Sequence, residues 1–461
     1  MLKWIPCLFG VAGALVLAAW LIAGPSVPVV CRIPEASAGG PGAGRNGGKG
    51  PTGQLTLGTG KPAELPGDWP CFRGKQRDNL CTDGVRLARS WPSGGPPVLW
   101  ALDVGEGYAG AAVWSGRVFL LDYDREHQAD ALRCLSLADG AEIWRYSYPV
   151  PVKRYHGMSR TVPAVTEKYV VALGPKCHVT CLESASGKFL WSKDLVAEFG
   201  TVVPEWYAGQ CPLIEDDKAI LAPGGDALLV AVDCATGKVL WRTPNPRGWD
   251  MTHSSVAPMS LEGRRVYVYS ASGGVVGVSG ETGEVLWETD AWTVKTATVA
   301  TPVPVDDERL FLSGGYGGGS MMLGLKAADG KPKPEPLFRL RENVFGAAQQ
   351  TPILYENLIY GVRPNGELAC LDLDGKVLWT SGAAHRFGLG PFLIADGVIL
   401  VLDESGKLTL AEASSSEFKP LAQAQVLHGH DAWGPMALAG GRLILRDLTR
   451  MVCLDVAEPK K

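Results

Sequence analysis

The sequence predicts an all-β fold: an eight-bladed β-propeller of four-stranded antiparallel blades, its ring closed by an N-terminal and a C-terminal strand sharing one blade. Three observations predict it. A unit of apolar strand, Gly-ended turn, aliphatic residue and Trp recurs along the chain. A second marker, a Pro after a small or polar residue, recurs at the same spacing. The composition, with 58 Gly and 33 Pro in 461 residues, would interrupt helices everywhere.

The unit reads LRCLSLADGAEIW (132–144), VTCLESASGKFLW (179–191), LVAVDCATGKVLW (229–241), VVGVSGETGEVLW (275–287) and LACLDLDGKVLW (368–379). Weaker copies end at Phe338 and Phe418, and the strand PVLW ends at Trp100. From Trp100 to Phe418 the eight closing aromatics span 318 residues in seven steps averaging about 45, the period of propeller blades. Pro163, Pro212, Pro258, Pro302, Pro352, Pro391 and Pro435 each open two short β-rich runs around a polar turn, and GAAVWSGRVFLLDY matches without the Pro. The turn Gly is expected to supply a positive φ. The Trp is expected to lay its ring on the neighbouring blade and give its indole N–H to a carbonyl in the turn. The last unit stops at MVCLDV (451–456) without a Trp strand, and Pro97-Val98-Leu99-Trp100 can supply the missing one.

The propeller is expected over residues 66–456, with 457–461 a charged tail. Before it, residues 4–23 run twenty positions without a charge, so residues 1–24 read as a signal peptide or an N-terminal membrane anchor. Residues 25–65, rich in Gly, Pro, Ala and Ser, read as a flexible linker. The bulk of the chain is therefore expected outside the cytoplasm, in the periplasm or cell envelope, with membrane association through the N-terminal segment. In that setting Cys71 and Cys81, flanking a short polar loop, are candidates for a disulfide. Cys134, Cys181, Cys370 and Cys453 share one context, Leu/Val-x-Cys-Leu, and so one repeated core slot. With 44 basic and 48 acidic residues and no basic run, the net charge of −4 argues against nucleic acid as a partner.

The Thr236–Trp241 and Ser186–Trp191 type of repeat resembles the pyrroloquinoline-quinone (PQQ)-like repeat, in the family shared by quinoprotein alcohol dehydrogenases and the BamB-type subunit of the outer-membrane β-barrel assembly machinery. The resemblance covers roughly residues 66–456, and DWPCFRGKQRDNLC (68–81) is similar to the lead-in of secreted bacterial members. It implies that any cofactor sits over the central channel, at the loops joining the fourth strand of one blade to the first of the next.

Those loops carry unusual polar and aromatic content. Candidate mouth residues are His156 and Arg160; Glu205, Trp206 and Tyr207; Trp249, Asp250 and His253; Trp292 and Lys295; Gln349 and Arg386; and His430, Asp431 and Trp433. Flat anchors beside charged donors suit a ligand or a partner's peptide. The family's enzymes hold PQQ with calcium, use an Asp base and usually stack the quinone on a vicinal disulfide. No two cysteines here are adjacent and no CxxCH attaches a haem. The sequence therefore favours a non-enzymatic, monomeric scaffold that binds a protein partner, without catalytic, cofactor or metal residues. The alternative is a PQQ- and calcium-dependent dehydrogenase acting at the channel mouth.

Overall fold

In the computed structural model, which describes residues 49–328 and 331–459, eight four-stranded antiparallel blades follow one another in the order the repeats predict. Blade 1 runs outward from Ala111–Trp114 through Arg117–Asp124 and Ala129–Ser136 to Glu142–Pro149. The inner strands of blades 2 to 8 are Ala164–Val165, Leu213–Glu215, Ala257–Leu261, Val303–Pro304, Ile353–Tyr355, Phe392–Ala395 and Ala437–Ala439, each beginning within two residues of its marker proline. In blade 8 the outer strand Val98–Asp103 lies antiparallel to Arg450–Asp455, with Trp100 opposite Cys453, so the ring closes as the sequence requires.

Each blade packs between two others, and its central strands are buried on both faces. Ala227–Asp233 of blade 3, for example, is buried at every position but the last. This is why the third strands read as nearly continuous apolar runs. The two sequence markers meet across the blade interfaces. Gly237 has φ +71°, and a Cβ there would stand 2.7 Å from Cγ of Trp191 in the preceding blade. Gly140, Gly187 and Gly283 meet Trp100, Trp144 and Trp241 in the same way. The turn therefore needs glycine twice, for its left-handed backbone and for room under an indole. The expected carbonyl bond is realised by Trp100 on Leu137 (3.0 Å), Trp191 on Cys234 (2.8 Å) and Trp379 on Ser414 (2.8 Å). The indole N–H groups of Trp144, Trp241 and Trp287 are buried without a partner. What recurs is ring on glycine, not the hydrogen bond.

Two boundaries differ from expectation. The segment 25–65 does not remain linker throughout, because Gln54–Leu57 joins blade 1 as a fifth, outermost strand, and Lys49 pairs with Lys193 of blade 2. Its glycines make this approach possible: Cβ atoms on Gly53, Gly58 and Gly60 would fall 1.9–2.4 Å from backbone oxygens of blade 1 and the turn before its outer strand. The start of the tail is also tied down, with Ala457 paired to Leu87 and Glu458 N–H donating to the Arg86 carbonyl (2.8 Å). The predicted signal or anchor, residues 1–24, lies outside the described residues. Among the described residues the one helix is Leu195–Phe199, capped by Asp194, and no helix is long and apolar enough to cross a membrane.

Candidate functional site

The first strands of the blades line the channel, and their free edges expose backbone groups that must find partners. This chain supplies those partners itself. Trp69 exchanges two backbone hydrogen bonds with Val113 of blade 1 (2.8 Å each), and Val165 of blade 2 donates to Pro70. Arg73 Nη2 donates to the carbonyl of Pro352 in front of blade 6 (3.0 Å), while Arg77 donates to those of Pro212 (2.6 Å) and Val256 (3.3 Å), in front of blades 3 and 4. Asn79 donates to Phe392, and Leu80–Cys81 then runs parallel to blade 7, opposite Ile394 and Ala395. The lead-in segment is therefore a plug whose guanidinium groups satisfy strand carbonyls. Burial pulls the Arg73 guanidinium down to about 10, so it remains charged at neutral pH.

The plug also carries both cysteines of the expected disulfide. Cys71 is buried in the channel with its thiol donating to Gly74 (3.1 Å), whereas the Cys81 thiol lies against the carbonyl of Leu438 in blade 8 (3.4 Å). Both are free thiols here, as are all the described cysteines, with Cys71 turned to the plug's own turn and Cys81 to blade 8.

At the mouth, Arg160 organises one sector. Its guanidinium donates to the carbonyls of Trp206, Tyr155 and His156 (3.0 Å to the last) and lies over the Tyr108 ring, 5.3 Å from its centroid. Around it, Tyr155 and Trp206 are nearly parallel (12°, centroids 6.5 Å apart), and Trp206 meets His253 at 6.1 Å. Tyr155 gives its hydroxyl to Glu205, and Tyr207 gives its own to the Lys153 carbonyl while Lys176 stands over its ring. On the blade 8 side, Tyr108 packs on Trp433 (5.1 Å) and donates to Asp431, which also pairs with His430; Trp433 donates to Glu404. His156, Trp206, Tyr207 and Asp431 all have positive φ, between 51° and 72°. Four non-glycine residues in this region at one site is a concentration of backbone strain of the kind that gathers at functional surfaces.

The electrostatics follow from burial. Desolvation and the Arg160 charge hold the His253 imidazole down at about 4, so it is neutral at physiological pH. Burial raises the Tyr108 hydroxyl to about 12, with Asp431 adding to the effect. Arg160 is pulled down to about 10 by burial and stays cationic.

The other sequence candidates do not join this sector. Trp249 and Trp292 are core residues, 7% and 3% exposed, packed against Tyr269 and Val256 and against Trp287 and Val294. Their spacing after a fourth strand looks like mouth chemistry, but the Trp249 ring lies against Gly273 and Gly274 of blade 4 and the Trp292 ring near Gly314 of blade 5. Asp250, held through its backbone by Ser272, and half-buried Gln349 stand apart, as do Lys295 and Arg386, which are exposed. Sequence reading missed the plug arginines, whose only signal is two basic residues in a segment too short to be a blade. It also missed Asp130, fully buried below the mouth, which accepts from Tyr148 (2.8 Å) and Ser159 (3.4 Å). Desolvation raises its carboxyl to about 7.

Eight four-stranded blades, with a Trp ring set on a turn Gly at four of the interfaces, define a PQQ-like repeat β-propeller. The PQQ_2 family, described as outer membrane protein assembly factor BamB, matches residues 128–374, and the chain belongs to that family. It is 23% identical over 319 residues to BamB of Yersinia pestis, covering 57% of this chain and 77% of that protein. BamB of Moranella endobia (strain PCIT) is 21% identical over 332 residues, 69% of this chain and 70% of its own length. Among solved structures, BamB from Moraxella catarrhalis superposes with a TM-score of 0.56 at 13% identity, covering 78% of this chain and 99% of that one. Quinohemoprotein alcohol dehydrogenase from Comamonas testosteroni gives 0.58 at 12% identity, over 85% and 81%. These structural likenesses establish the fold.

Among the described residues no three of His, Cys, Asp and Glu converge to hold a metal ion. The flat surfaces at the mouth are already paired with one another, Tyr108 between Trp433 and Arg160, and residues 69–81 occupy the channel below.

Proposed function

We propose that this chain is an extracytoplasmic protein-binding scaffold that works without catalysis and presents the Arg160 sector of its mouth to a partner protein. The relatives it resembles in sequence are named outer membrane protein assembly factors, and assembly of envelope proteins is the setting the reading adopts. One observation carries it: Tyr155 is 44% exposed and Trp206 half-buried, and both are held rigid by a guanidinium bonded to their own carbonyls. Rigid, partly exposed aromatics beside charged groups are what binding hot spots are made of.

The test is a photo-cross-linking residue at Glu205, with Lys333 on the outer strand of blade 5 as a control, in cells of the natural source. A protein adduct at 205 that is lost in Trp206→Ala is expected. Adducts at 333 alone would overturn the reading. So would stoichiometric binding of PQQ with calcium and dye reduction by alcohols, which would establish the dehydrogenase instead.

A further inference from the structure

The four cysteines of the shared Leu/Val-x-Cys-Leu context occupy one geometric slot. Cys134, Cys181, Cys370 and Cys453 lie in third strands, directly opposite the marker Trp144, Trp191, Trp379 and Trp100, and all four are fully buried. For Trp100, Trp191 and Trp379 the indole donates to the carbonyl of a turn residue in the next blade, Leu137, Cys234 and Ser414 respectively. A cysteine in this slot therefore faces that turn residue. At one interface the turn residue is itself a cysteine.

There, between blades 2 and 3, the Cys181 thiol donates to the Cys234 carbonyl at 3.4 Å, and Cys234 is also fully buried. Cys234 beside it and burial together hold the Cys181 thiol far above its usual range. At Leu137, Ser184, Gly280 and Ser414 the turn residue carries no thiol, so the same contact there cannot become covalent.

We propose that Cys181 and Cys234 are a disulfide site that, when oxidised, staples blade 2 to blade 3. Two S–H bonds break and one S–S bond forms; the two electrons and two protons pass to an oxidant disulfide, such as oxidised glutathione or the active-site disulfide of a thiol oxidase, which is left as two thiols. Because both sulfurs are sealed in the native core, the reaction belongs to folding, while the interface is still open. The proposal is independent of what the mouth binds, since the oxidant can be supplied in vitro.

The test is refolding of the whole protein in a glutathione redox couple, alkylation of free thiols in denaturant, and peptide mapping without reduction. The expected product is a cross-linked pair of peptides containing Cys181 and Cys234, two hydrogens lighter than the reduced pair. The melting temperature should then fall on addition of reductant, and this reductant sensitivity should vanish in Cys234→Ser but persist in Cys370→Ser. Recovery of both cysteines fully alkylated from folded protein overturns the proposal, as does a cross-link joining Cys181 to any other cysteine.

Discussion

The Arg160 guanidinium stands 5.3 Å over the ring of Tyr108, joining blade 8's side of the mouth to the loops before blades 2 and 3. It does so without a carboxylate, using the carbonyls of Tyr155, His156 and Trp206 instead. Hydrogen bonds from charged groups contribute about 1.5–3 kcal/mol each, and orphaned carbonyls cost more than absent ones. Arg160→Met should therefore destabilise the protein by about 2–4 kcal/mol in urea unfolding, and Arg160→Lys should recover only part of that. Trp206 emission should shift to the red in both.

The two demands on the turn glycines can be separated. Gly237 combines φ +71° with a Cβ position 2.7 Å from Trp191, whereas Gly263 has φ +73° with nothing within 4 Å. Gly263→Ala should cost about 1 kcal/mol, the left-handed penalty alone. Gly237→Ala adds overpacking and should cost about 2–4 kcal/mol. Equal losses in thermal unfolding would show that the indole contact contributes nothing.

The plug should behave as part of the core. Trp69 is 2% exposed and anchors the entry of the segment on blade 1. Trp69→Ala should cost about 3–5 kcal/mol. Limited trypsin digestion should then cut after Lys75, an exposed residue at the tip, while the wild-type chain resists.

Two buried groups give pH dependences of opposite sign. His253 titrates at about 4 in the fold against 6.5 unfolded, so the unfolded chain binds the extra proton and stability is lost as pH falls from 6.5 towards 4. Asp130 titrates at about 7 in the fold against 3.8 unfolded, so here the folded chain holds the proton and stability is lost as pH rises from about 4 to 7. His253→Gln should flatten the acid limb of a melting-temperature profile, and Asp130→Asn should remove the decline towards neutrality. A profile unchanged by either substitution would contradict the assignment.

The ring was legible because propeller blades repeat their chemistry: Trp191 and Gly237 are 46 positions apart, one blade period, and each marks its own turn. Closure was legible because the last unit stops at Val456 without its Trp. The mouth was half legible. Loop position picked out Arg160, Trp206 and His253, but it cannot say which way a ring turns, and Trp249 and Trp292 turned inward. The plug was not legible, since the partners of Arg73 and Arg77 are backbone carbonyls, which carry no sequence signature. The same limit hid the strand Gln54–Leu57, whose glycines read as flexibility until the edge they touch is known.

Closing blade 8 with strands from both ends imposes an order on synthesis. Asp103 must wait for Arg450, 347 positions later, before the ring can shut. At about 5–20 residues per second that interval is roughly 20–70 s, during which the edge of Val98–Asp103 is an unpaired template. Until Arg450–Asp455 arrives that edge stays open to pairing with another chain, and a truncation before Arg450 would leave seven sound blades and an open ring.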